Sequence, residues 1–119
     1  MRHLSDLSAN DQQAIEAFVQ RLLAEFGQDV ADVRLFGSKA RGDANVDSDL
    51  DILVLVRRSD YALKHAILWL AAEVSLACDV LLSPRVIPSA TWHEMAQANI
   101  ALYRAIHAEG ISLLMAAPV

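Results

Sequence analysis

The sequence predicts an α/β domain in which a small mixed sheet is packed with helices. Three observations point there. An amphipathic helical pattern opens the chain, two strand-like apolar runs follow at 30–36 and 49–57, and helical and strand patterns then alternate to the end. A length of 119 residues suits a single domain over 1–119 with enough chain for one proper core.

Residues 8–26 carry the first helix. Ser8 or Asn10 can cap it, Gly27 can end it, and Ile15, Phe18, Val19, Leu22, Leu23 and Phe26 recur at helical spacing on one face. The first strand, 30–36, delivers the chain to Gly37, and a short helix from Ser38 stops at Gly42. A polar loop, Asp43–Ser48, leads to the second strand at 49–57. There Leu50, Ile52, Val54 and Val56 share one face and Leu53 and Leu55 the other, as expected of a central strand. Asp60 caps a helix over 61–75, whose apolar face includes Leu63, Ile67, Leu70, Ala71 and Val74. A third strand is expected at Ala77–Leu82, stopped by Pro84. Ser89 is the expected cap of a helix at 90–97. A further helix at 99–108 ends at Gly110, Ile111–Met115 forms a short last strand, and the tail 116–119 frays.

Composition narrows the function. Fifteen acidic and ten basic residues give a net charge of −5, which argues against direct nucleic-acid binding. An apolar share of 55% exceeds the usual 45–50% or so of a soluble domain and fits either a dense core or apolar surface kept for a partner. Cys78 is the only cysteine, so no internal disulfide forms and a reducing compartment is expected. The most apolar stretch, 61–78, is interrupted by Lys64, His65 and Glu73, and the N-terminal region does not read as a signal peptide. A cytoplasmic location away from the membrane follows as the expectation.

The chemistry concentrates in 37–51. Gly37 can take backbone angles closed to other residues and bring main chain close to a ligand, and Ser38 opens a short helix whose free N–H groups suit phosphate. Asp49 and Asp51, two apart at a strand start, point the same way with Cβ atoms about 6.5–7 Å apart. Carboxylates so spaced can converge on a metal pair separated by roughly 3.5–4 Å. Asp79, within an apolar run, is costly to bury unless paired with an arginine or bound to metal. Lys39 and Arg41 add local positive charge, and Arg41 is placed to reach phosphate oxygens.

Competing motifs fail on their own residues. A P-loop would need Lys and Ser or Thr where Asp43 and Ala44 stand. An EF-hand would need Gly and Glu where Ile52 and Arg58 stand. A zinc-protease motif from His93-Glu94 would need a second histidine where Gln97 stands.

Gly37-Ser38, ten residues, then Asp49-Leu50-Asp51 resembles the G-S-x10-D-x-D signature of the DNA polymerase β-like nucleotidyltransferase superfamily. GSKARGDANVDSDLDILV is most similar to the minimal nucleotidyltransferases, the MNT family. That resemblance implies a polymerase β-like nucleotidyltransferase fold, ATP as substrate and two Mg²⁺ ions. It assigns Gly37, Ser38 and Arg41 to the nucleotide, Asp49 and Asp51 to the metals, and Asp79 to a third metal ligand that helps deprotonate the acceptor. It also implies transfer of AMP to a protein hydroxyl, a tyrosine of a HEPN ribonuclease toxin, with this chain as antitoxin. The alternatives are an inactive antitoxin that neutralises its partner by contact and a nucleotide-sensing binding module.

Overall fold

The structure, a computed structural model, describes residues 4–42 and 48–114. Most of the expected Asp43–Ser48 loop, the end of the last expected strand at Met115 and the tail lie outside the described residues. Helix α1 spans Ala9–Phe26, and the Ser8 side-chain oxygen accepts from the Asp11 N–H at 3.1 Å. Its buried Ala14, Ile15, Phe18, Val19 and Leu22 follow the three- and four-residue spacing read in the sequence. Each large side chain so buried contributes about 1.5–3 kcal/mol.

Strand β1 is Val30–Phe36, α2 is Ser38–Arg41, β2 is Leu50–Val56 and α3 is Tyr61–Cys78. Strand β3 (Leu82–Pro88), helices α4 (Ser89–Gln97) and α5 (Ala101–Glu109) and the two-residue β4 (Ile111–Ser112) complete the order. The strands form one sheet in the order β3-β2-β1-β4, with β2 and β3 parallel and the other pairs antiparallel. Strand β2 is central, and both its faces are buried. Leu50, Ile52, Val54 and Val56 join the main core with α1 and α3, while Leu53 and Leu55 pack with Phe36 and Ile106 on the opposite face.

Two expectations fail around α3. The helix continues three residues beyond 75, through Cys78, because Val74, Cys78 and then Val80 keep packing against the core. Asp79 therefore lies on no strand. It is exposed, in left-handed conformation (φ 54°, ψ 43°), with its N–H bonded to the Ser75 carbonyl at the helix end. Nor does Pro84 stop the third strand. In the parallel ladder the Leu50 N–H bonds the Leu81 carbonyl at 3.0 Å, so alternate residues from Leu81 turn their backbone groups toward β2. Leu82, Pro84, Val86 and Pro88 thus face the open edge, where a proline forfeits no ladder bond.

Helix α4 begins at Ser89 itself, with Pro88 in the capping position and no side-chain cap bond. Among the described residues, α3 is the one helix long and apolar enough by length and composition to cross a membrane. Its Leu63, Ile67, Leu70, Ala71 and Val74 are buried in the main core, whereas Tyr61, Trp69 and Leu76 on its outer side are 77, 70 and 87% exposed.

Candidate active site

The site forms where β1 ends beside the start of β2. The antiparallel register sets Phe36 opposite Asp51, so the turn after Phe36 is carried over the carboxylate. Gly37 takes φ 78° and ψ −161°, a region nearly closed to other residues. A Cβ built there would overlap Asp51 Oδ2 and lie 3.1 Å from its Cγ. The bare glycine backbone and the Asp51 carboxylate are therefore in direct apposition.

Helix α2 holds this turn in place by three attachments. Ala40 is buried in the main core. Lys39 Nζ donates to Asp11 Oδ2 of α1 at 2.8 Å, with side chains only 10 and 8% exposed. Arg41 Nη1 donates to Glu109 Oε2 of α5 at 3.1 Å near the surface. Gly42, at φ 85°, ends the helix and returns its N–H to the Ser38 carbonyl at 2.9 Å. Lys39 is thus a structural cation, and Arg41 borders the site while engaged by α5.

Asp51 is the second residue of β2 and half-buried, while Asp49 lies just before the strand, exposed, and near enough for its charge to act on Asp51. Burial first, and the Asp49 charge second, push the Asp51 carboxyl above its ordinary value, while Arg85 and Arg41 pull it down. Two neighbouring carboxylates, that of Asp51 partly desolvated, form an oxygen donor set suited to a hard divalent cation.

The structure does not bring Asp79 to this pair. The described residues contain no cluster of three acidic, histidine or cysteine side chains able to hold a metal. On β3 the position registered with Asp51 is Ser83, and the next residue on the same face is Arg85, registered with Leu53. Neither was singled out by sequence reasoning, because the expected strand ended before them. Asp11 was missed as well, although an aspartate seven residues before Phe18 and eleven before Leu22 sits on the apolar stripe of α1, which is a signal of a buried partner.

A glycine turn apposed to strand carboxylates, on a mixed four-stranded sheet flanked by helices, defines the nucleotidyl-transfer class of α/β domain. The Nucleotidyltransferase domain family matches residues 15–105, and the chain belongs to that family as a nucleotidyltransferase. MJ0141 of Methanocaldococcus jannaschii, named as a candidate protein adenylyltransferase, is 36% identical over 72 residues, 53% of this chain and 73% of that protein. A solved structure of a candidate minimal nucleotidyltransferase is 28% identical, covering 92% of this chain and 95% of its own, with a TM-score of 0.51. A crystal structure of a toxin–antitoxin with AMP-PNP shares the fold at 20% identity and a TM-score of 0.53, covering 89 and 73% of the two chains.

Proposed function

We propose that this nucleotidyltransferase moves AMP from ATP to a protein hydroxyl, a tyrosine of a HEPN ribonuclease toxin, and so acts as an antitoxin in the cytoplasm. The observation that carries the reading is the apposition of Gly37 to Asp51, which joins the phosphate-binding turn and the acid pair in one site. The protein acceptor is suggested by the name of the relative MJ0141, and the toxin partner by the toxin–antitoxin of the same fold that holds AMP-PNP.

Gly37 and Ser38 would present main-chain N–H groups to the β- and γ-phosphates, with no Cβ at Gly37 to hold them off. Asp49 and Asp51 would hold magnesium, two ions by family resemblance, and Arg41 would face the triphosphate from α2. When bound, magnesium supplies charge neutralisation at the phosphate oxygens. The rigid mount of β2, buried on both faces, keeps the Asp51 carboxylate in place without help from the substrate.

A second reading, neutralisation of the partner by contact alone, draws on Tyr61, Trp69 and Leu76, which stand exposed along α3. The test is transfer of label from α-labelled ATP, with Mg²⁺, into a cell extract containing the toxin. A labelled toxin band whose mass rises by AMP supports transfer. Unlabelled toxin inhibited in a stoichiometric complex supports contact, and ATP binding with neither result supports a nucleotide sensor.

A further inference from the structure

Strand order arranges the site from one side to the other. The glycine turn follows β1, the acid pair stands at the start of β2, and Ser83 and Arg85 belong to β3, on the far side of β2 from β1. If the β- and γ-phosphates rest on the turn and the α-phosphate lies over the acid pair, the acceptor must approach from β3. Arg85 stands on that approach. It shares the sheet face of Asp51 through its register with Leu53, and it is exposed.

Its engagement differs from that of the other described arginines. Arg21 pairs with Glu25 and Glu73, Arg34 with Asp32, Arg41 with Glu109, and Arg58 with Asp29 and Asp60. Arg57 and Arg104 donate to the carbonyls of Gln28 and Asn99. Arg85 has no hydrogen bond or ion pair among the described residues; what the structure gives it is the field of the Asp51 carboxylate. An arginine left open beside a reaction centre is equipped to meet negative charge that arrives with substrate.

We infer that Arg85 is a catalytic residue of the acceptor side, its guanidinium holding the acceptor oxygen and the α-phosphate as negative charge builds between them. The inference rests on the transfer reading above. In the step, the acceptor hydroxyl gives its proton to water and its oxygen bonds to the α-phosphorus. The bond from that phosphorus to the bridging oxygen of the β-phosphate breaks, and its electron pair leaves with pyrophosphate. Arg85 keeps its proton throughout and acts by charge and hydrogen bonding alone. On this account β3 contributes a cation at the acceptor, where a carboxylate base had been expected from Asp79.

The test compares the unaltered chain with Arg85→Ala and Arg85→Lys in labelling from α-labelled ATP with Mg²⁺. The readout is the rate into the band that the unaltered chain labels. Arg85→Ala should label about 100-fold more slowly, the scale for removal of one donor to developing charge. Its thermal shift with Mg·ATP should be unchanged. Arg85→Lys should recover part of the rate, and guanidinium chloride at millimolar concentration should speed Arg85→Ala but not the unaltered chain. Labelling by Arg85→Ala within threefold of the unaltered chain overturns the inference. So does loss of the Mg·ATP shift, which would make Arg85 a nucleotide-binding or structural residue, and so does absence of rescue by both lysine and guanidinium. A band labelled equally by all three chains sinks this inference alone. Failure of the unaltered chain to label any band sinks the transfer reading and this inference with it.

Discussion

Replacing Gly37 with alanine tests the heart of the site with one methyl group. At φ 78° and ψ −161° the backbone sits in a region nearly exclusive to glycine, and holding another residue there costs about 1–3 kcal/mol. At about 4 °C per kcal/mol for a domain of this size, the melting temperature should fall by roughly 4–12 °C. The functional cost comes from a different contact. The new Cβ would overlap Asp51 Oδ2, and the carboxylate cannot retreat into a sheet face already filled by Phe36 and Leu53. It must swing aside by roughly 1 Å, and displacement of a reacting group on that scale costs about 100-fold in rate. Thermal melts and label transfer from α-labelled ATP measure the two effects separately. A Gly37→Ala chain that melts normally and transfers within twofold of the unaltered protein would refute the apposition and the role built on it.

Three further outcomes follow from named contacts. Folding raises the Asp51 pKa, so the folded state binds this proton more tightly than the unfolded chain, and stability is lost as pH climbs through the folded value. Asp51→Asn without added metal should accordingly melt higher than the unaltered chain at pH 7, with the gap closing in acid below the ordinary carboxylate range, while transfer disappears; melts across pH 3–8 show this. Asp11→Ala strands Lys39 in a buried setting, at a cost of about 3–5 kcal/mol in chemical denaturation. The double change Asp11→Leu with Lys39→Met should recover most of it. Asp79→Asn, at a left-handed helix end that asparagine also accepts, should leave stability and transfer within twofold of normal. Abolished transfer there would return Asp79 to the catalytic centre.

Much of the fold was legible because its signals are local. The Ser8 and Asp60 caps, the helical stripe of α1 and the two-faced apolar pattern of β2 all depend on neighbours in sequence, and each reads correctly. The motif at 37–51 was legible for the same reason, since two adjacent strand ends hold both its halves. What could not be read depends on where strands lie beside one another. Cys78-Asp79-Val80 alternates like a strand, yet the pull of Val74, Cys78 and Val80 toward the core keeps the first of these residues in α3 and turns the chain at the second. Pro84 reads as a stop until the ladder shows that its missing N–H points off the sheet. Arg85 carries no local mark and becomes visible only through its register with Leu53.

The prolines of β3 also bear on how this protein can meet another. Four residues of the strand turn their backbone toward the open edge: Leu82, Pro84, Val86 and Pro88. Pro84 and Pro88 have no N–H to offer, and the N–H of Leu82 is taken by the Ser75 hydroxyl at 3.0 Å. Val86 alone keeps a donor available to a visiting strand. An edge so depleted cannot template a fifth strand, whether from a partner, a second copy or an unfolding neighbour. At the other margin, β4 offers two residues among the described ones. Sheet extension is thereby discouraged along β3, which protects that margin of a small apolar-rich protein from edge-to-edge aggregation and leaves the sheet face at Arg85, rather than the strand edge, to meet other molecules.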